Sequence, residues 1–330
     1  MKTPPFELHL PESLDAATDL AAEFMQADEG FDWIAGGTDL LPNYKWRLNT
    51  NPHVISLSQI EELSAFDEHS IGAMVRLNDI ATSEIVHPLL VQTAGTIAST
   101  LIRQSGTVGG NICLDTRCFW FNQSEEWRDS IDWCHKCDCG TGADCRVIPN
   151  QNDLCVATYQ ADLAAAFLAL GATIHLIHPE GQRKLPLSEF FMEDGMTRNV
   201  LRKGELVTRL SLPADVGTWS GQYQKLRLRE SWDFPEAGVA AAWRLSEQGK
   251  LQELRIATTA LETIPRLHVE EVEAVIKSGW AGSASITALA TAVQKNVSPV
   301  NNTWFAPGYR KKMVRVLTRR ALAPLGEART

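Results

Sequence analysis

Apolar and polar residues alternate over residues 6–10, which predicts a short strand. Ser13 then precedes Ala16, Ala17, Leu20, Ala21 and Phe24, the three- and four-residue spacing of a helical face. Strands are expected at 32–35 and 53–57, so a small βαβ-like unit closes near residue 57. Residues 71–75 read as a strand, Leu77 opens a helix that ends before Pro88, and one further helix is expected over 89–101. An apolar helix follows Asp162 and stops at Gly171; strands at 173–177 and 206–212, with a segment at 185–191, carry this unit to Pro213. From about Tyr223, strands are expected at 234–243 and 251–258 around a turn at Gly249, then helices at 269–276, 283–293 and 309–321. Strands followed by helices predict an α+β organisation. The expected units are 1–57, 58–218 and 219–330, with an inserted loop at 113–155.

Charge and composition narrow the chemistry. A formal net charge of −9 offers no basic stripe for a phosphate backbone, which argues against nucleic-acid binding. No stretch of 18 apolar residues predicts a membrane span, and no secretory leader is read at the start, so a cytoplasmic protein is expected.

Two turns carry paired glycines. Ala35-Gly36-Gly37-Thr38-Asp39 follows an expected strand, and Thr107-Val108-Gly109-Gly110-Asn111 follows an expected helix. Paired glycines let successive N–H groups face inward, and such a nest holds phosphate. Neither turn is the G-x-G-x-x-G dinucleotide fingerprint, so the usual nicotinamide fold is disfavoured.

All seven cysteines lie between Cys113 and Cys155. In a reducing compartment such clustering points to metal ligands rather than disulfides. A loop this long needs a restraint, and metal ligation offsets its ordering entropy. Cys134-x2-Cys137 suits the start of a zinc site, and four thiolates at wider spacing suit a [4Fe–4S] cluster; spacing alone leaves both open. Trp120, Trp127 and Trp133 are expected to form an apolar shell around the centre.

The two glycine turns and the stretch from Trp304 to Lys312 resemble the flavoprotein subunits of the xanthine dehydrogenase family of molybdenum hydroxylases. The resemblance implies a two-lobed FAD-binding domain of the PCMH type and an α+β C-terminal domain of the CO dehydrogenase flavoprotein type. It assigns FAD to Ala35, Gly36, Gly37, Thr38, Asp39, Thr107, Gly109, Gly110, Asn111, Asp162, Val207 and Lys225. By residue type alone, Asp162 is a helix N-cap, Lys225 a surface lysine and Val207 a strand residue.

Asn111-Ile112-Cys113-Leu114-Asp115-Thr116-Arg117-Cys118, with Asn122-Gln123-Ser124, resembles the 4-hydroxybenzoyl-CoA reductase branch of that family, which carries an additional [4Fe–4S] cluster. The ligands this implies are Cys118, Cys134, Cys145 and Cys155, with Cys113, beside the FAD loop, either buried or packed behind the ligands. The stretch from Cys134 to Cys145 is longer than in the resembled subunits, so Cys137 or Cys139 stands as an alternative ligand. No cysteine remains for [2Fe–2S] clusters. The implied partners are therefore a molybdenum cofactor subunit and a [2Fe–2S] subunit in a dimer of heterotrimers, with a ferredoxin-like electron donor or acceptor. Two other functions stand beside this one: the same subunit role in a hydroxylase or dehydrogenase for another aromatic or heterocyclic substrate, and a zinc-stabilised scaffold without redox chemistry.

Overall fold

The computed structural model describes residues 2–136, 144–151 and 153–326. Its first lobe runs through β1 (Glu7–His9), α1 (Leu14–Gln26), β2 (Phe31–Ile34), α2 (Leu40–Lys45) and β3 (His53–Ser56). The strands form a parallel sheet in the order β1-β3-β2, which crossover helices make reachable. The Ser13 hydroxyl accepts the Ala16 N–H at 3.1 Å and starts α1. Helix α2 was not expected: its six residues are too few for a clear helical period.

The second lobe contains β4 (Ser70–Gly72), α3 (Leu77–Ala81), α4 (Pro88–Gly95), α5 (Thr100–Ser105), α6 (Val108–Ile112), α7 (Glu125–Ser130), α8 (Leu163–Ala169), β5 (Thr173–His178), β6 (Gly181–Pro186) and β7 (Leu206–Ser211). The single helix expected over 89–101 is two helices. Ala98 turns left-handed at φ 45° between them, and Ser99 caps the second by accepting the Ile102 N–H. Arg103 and the Trp232 N–H satisfy the Ile97 and Ala98 carbonyls at the break. Strand β6 escaped the periodicity because it is a polar edge in the order β4-β7-β5-β6.

The third part joins β8 (Ser220–Leu226), β9 (Ala237–Leu245), β10 (Leu251–Thr259) and β11 (Arg266–Leu267) into an antiparallel sheet, with α9 (Val269–Lys277), α10 (Ser283–Lys295) and α11 (Pro307–Ala321) following. The fold is α+β. Helix α8 is buried on every side, as expected for a helix apolar all round, and packs against β9 and β10. One core cluster therefore runs from Ile71 through α8 to Tyr223 and Ala257, seating the third sheet against the second lobe. A smaller cluster of Ala17, Leu57, Ile60, Leu63, Ile177 and Leu206 joins the two lobes.

Among the described residues, no helix is long and apolar enough to cross a membrane.

Candidate cofactor and cysteine sites

The two glycine turns lie against each other. A Cβ on Gly36 would stand 1.7 Å from the Ser105 carbonyl oxygen, so only glycine allows this approach of the lobes. A Cβ on Gly110 would meet only Thr107 Oγ1 at 3.1 Å and Ala35 Cβ at 3.9 Å, and Gly110 itself is exposed. The seam between the turns is thus open along Ala35 and Gly110. Among the described residues, the backbone N–H groups of Gly36, Gly37, Thr38 and Asp39 have no acceptor within the protein. Such a row of uncommitted donors suits the diphosphate of a dinucleotide.

The second turn departs from the expected nest. The N–H groups of Val108 and Gly109 donate to the carbonyls of Val75 and Ala73, and Gly110 donates to Thr107 Oγ1 at 3.1 Å. Asn111 N donates to the Thr107 carbonyl, so four of the turn's amides are committed, and this turn acts as a wall while the first supplies donors. Asn111 has a local task as well: its Oδ1 accepts the Leu163 N–H at 3.2 Å and caps α8.

That cap leaves the Asp162 carboxylate free for another use. Asp162 occupies the N-cap position of α8, but its side chain makes no cap hydrogen bond. Instead it accepts from Tyr223 Oη at 2.8 Å and pairs with Lys225 Nζ at 3.0 Å. Lys225 is no surface lysine: its side chain is 3% exposed, and it also donates to the Thr96 carbonyl at 3.2 Å. Burial pushes the Asp162 carboxyl up and the Lys225 ammonium down, and their mutual attraction opposes both shifts. The pair ties the start of α8 to β8 and to the end of α4. Val207 lies in the core of β7, beside Thr208, whose carbonyl accepts from Ala73 N; the Ala73 carbonyl in turn accepts from Gly109.

The four cysteines Cys118, Cys134, Cys145 and Cys155 are 8%, 7%, 5% and 6% exposed. They line one cavity, closed by Trp120, Phe121, Val147 and Ala157. Burial pushes the Cys118 thiol up to about 12, and the neighbouring Cys155, Cys134 and Cys145 add to the shift. Burial likewise raises Cys155 to about 11. The protein alone therefore keeps Cys118 and Cys155 protonated, and a metal cation would reverse that preference by taking up thiolates. Four convergent sulfur donors in an apolar cavity fit a [4Fe–4S] cluster or a zinc ion by donor chemistry. His135 also lines the cavity, and among the described residues its buried Nε2 has no hydrogen-bond partner.

The surrounding chain brings these segments together. Asp132 and Trp133 are both left-handed, at φ 59° and 55°, immediately before Cys134. Arg146, beside Cys145, holds this strained pair by donating to the Trp133 carbonyl at 2.8 Å and the Asp132 carbonyl at 2.7 Å. Cys155 donates its N–H to Asp194 at 2.9 Å, while its carbonyl accepts from Gly195. Asn302, fully buried, donates to the Val156 carbonyl, accepts from Thr158 Oγ1, and offers its own carbonyl to Phe119 N. Arg117, next to Cys118, pairs with Asp39 of the first glycine turn, linking the two sites. Sequence reading had assigned none of Arg117, Arg146, Asp194 and Asn302, because each acts through a partner distant in the chain.

One expectation needs correction. Of the three tryptophans expected to wrap the centre, only Trp120 lines the cavity; Trp127 lies against it at 6.0 Å with the rings tilted by 41°, and Trp133 faces Arg128 at 5.6 Å. Cys113 packs against the main core, apart from the other four, and burial raises its thiol to about 11. Cys137 and Cys139, named above as alternative ligands, lie outside the described residues.

Comparison with known proteins places this architecture. Residues 4–215 match the FAD binding domain in molybdopterin dehydrogenase, and residues 222–325 match the CO dehydrogenase flavoprotein C-terminal domain. The chain belongs to this family of FAD-binding oxidoreductase subunits. More narrowly, it is an FAD-binding medium subunit of the molybdenum hydroxylase type, resembling the CO dehydrogenase medium chains. The FAD-binding subunit of an Escherichia coli aldehyde oxidoreductase is 30% identical over 249 residues, 70% of this chain and 76% of that protein. The glyceraldehyde dehydrogenase medium chain of Sulfolobus acidocaldarius is 25% identical, over 97% of this chain and 98% of that one. The structure of carbon monoxide dehydrogenase from Hydrogenophaga pseudoflava superposes with a TM-score of 0.77 at 26% identity, covering 98% of each chain. Membership in an oxidoreductase family leaves the non-redox scaffold reading without support.

Proposed function

We propose that this chain is the electron-transfer subunit that carries both FAD and a [4Fe–4S] cluster in a molybdenum-dependent complex. The observation that carries the reading is the convergence of Cys118, Cys134, Cys145 and Cys155 on one buried cavity. FAD would lie along the seam of the two glycine turns, with the amides of Gly36–Asp39 toward its diphosphate and Thr107, Gly109, Gly110 and Asn111 forming the facing wall. Asp162, Lys225 and Val207 would stand behind that wall and fix its position. Bound FAD exchanges two-electron for one-electron steps, and the iron–sulfur centre carries single electrons. The chain's own part is to hold both groups, exclude water around the sulfurs and keep Arg117 between the two sites.

The implied assembly is a dimer of heterotrimers with a molybdenum cofactor subunit and a [2Fe–2S] subunit, since the cysteines of this chain are needed for one cluster. The resemblance of residues 111–118 supports a reductase of the 4-hydroxybenzoyl-CoA type, drawing electrons from a low-potential donor such as ferredoxin for reductive dehydroxylation. A second reading, the same subunit in an oxidative enzyme, is favoured by the relatives, among them the aldehyde oxidoreductase and glyceraldehyde dehydrogenase chains.

Iron analysis and low-temperature electron paramagnetic resonance of the reduced complex test the shared part. Replacing Cys118, Cys134, Cys145 or Cys155 by serine is expected to abolish the cluster signal and leave FAD in place, because serine is a harder and weaker ligand for iron. Cys113→Ser is expected to retain the signal. A full signal in the four single variants, or zinc in place of iron, would overturn the cluster. Turnover supported by reduced ferredoxin, against turnover with an aldehyde substrate and an oxidising dye, then separates the two directions.

A further inference from the structure

A second group of metal-ligating side chains lies on the first lobe, in a part of the sequence free of cysteine. Glu7 and His9 alternate on β1, and Glu7 faces His53 across the parallel β1–β3 pair, so all three side chains share one face of the sheet edge. His9 Nε2 and His53 Nδ1 are 3.2 Å apart, and Glu7 Oε2 is 3.9 Å from the same His53 nitrogen. One ligand atom from each residue lies within 4.8 Å of the others. Two nitrogens bound to one tetrahedral zinc stand roughly 3.3 Å apart, given bonds of about 2.0–2.1 Å. The imidazole pair already has that separation.

The surroundings orient the ligands. The remaining nitrogen of His53, Nε2, lies 3.0 Å from Glu29 Oε2. A carboxylate there accepts a hydrogen bond from Nε2–H and leaves the Nδ1 lone pair facing His9 and Glu7, the arrangement that outer carboxylates give to metal-binding histidines. The buried Phe24 ring of α1 stacks on His53 at 4.2 Å and 10° and stands 5.1 Å from His9, fixing both rings from behind. Glu29 is placed by its own N–H, which donates to the Phe24 carbonyl.

We propose that Glu7, His9 and His53 bind one divalent transition-metal ion of the zinc class, with Glu29 as the positioning residue for His53. Two imidazoles are borderline donors, and with one harder carboxylate they suit zinc, nickel or copper over magnesium or calcium. The ion would join the three-residue strand β1 to β3, the central strand of the lobe whose β2 leads into the first glycine turn.

The test uses the full chain with its iron and flavin contents recorded, equilibrated with zinc chloride and then dialysed against metal-free buffer. One additional zinc per chain and a higher melting temperature are expected, with iron and flavin unchanged. His9→Ala and Glu7→Gln, changes at the sheet edge that leave the Phe24–His53 stack intact, are expected to abolish the retained zinc and the thermal shift. Glu29→Gln, which keeps every ligand, is expected to weaken zinc binding about 10- to 100-fold. Zinc retained undiminished in the His9→Ala chain, which would place it elsewhere, or no zinc retained by the unaltered chain, overturns the site. Unchanged affinity in Glu29→Gln overturns the positioning role.

Discussion

Gly36 and Gly110, one from each glycine pair, face different environments. A Cβ on Gly36 would meet a backbone carbonyl that no side chain tolerates, whereas one on Gly110 would meet only Thr107 Oγ1 at 3.1 Å and Ala35 Cβ at 3.9 Å. Gly110→Leu is therefore expected to fold, at a stability cost within roughly ±0.5 kcal/mol for an exposed position. Its side chain would project toward Ala35 and fill the seam, so FAD should be lost. The ratio of flavin absorbance to protein, with a melting curve as control, checks this; full flavin occupancy would show that the seam is not the site. Sequence suggested both turns as phosphate nests. It did not reveal that the second turn's amides are committed to Ala73, Val75 and Thr107, because two of those acceptors lie more than 30 residues upstream.

Between elements, the Asp162–Lys225 pair joins α8 to β8 where neither side chain reaches water. Removing one member leaves the other buried and uncompensated, at a cost of about 3–5 kcal/mol. Asp162→Asn is expected to lower stability by that order. Adding Lys225→Met should recover much of the loss, since a buried pair replaced by apolar groups is often close to neutral. Denaturant titration of the single and double variants measures the coupling, and additive losses would contradict a direct pair. The pair was hidden from the sequence for a simple reason. A lysine in an alternating strand reads as exposed, and the strand β8 itself became visible only when paired with β9. The same kind of tertiary decision splits the helix expected over 89–101, where Arg103 and Trp232 stabilise the carbonyls of the left-handed break.

At the scale of the molecule, the cysteine segments are held by parts of the chain far from them. Asn302 reaches Val156, Thr158 and Phe119 and so fastens the C-terminal region to both sides of the window. Asn302→Ala would keep the backbone bond to Phe119 but leave the Val156 carbonyl and the Thr158 hydroxyl without this partner, at about 1–3 kcal/mol for each unsatisfied group. The expected outcome is faster proteolysis within residues 113–155 and a less stable cluster, with FAD retained. Limited proteolysis and iron loss over time follow both effects; unchanged cleavage in the window would exclude this fastening.

The sequence by itself determined the α+β class, the main helices and strands, the two glycine turns and the clustering of the cysteines, while the choice of four among the seven came from the family resemblance. Those follow from local periodicity, from glycine's lack of a side chain and from the chemistry of clustered thiols. Tertiary structure alone decided which amides stay uncommitted, that Lys225 is buried, and that Arg117 joins Asp39 to the cysteine region. It also set Arg146 against Trp133 and Glu29 against His53. Each of these depends on a partner brought close only by folding, and one sequence carries no local signal for a partner distant along the chain.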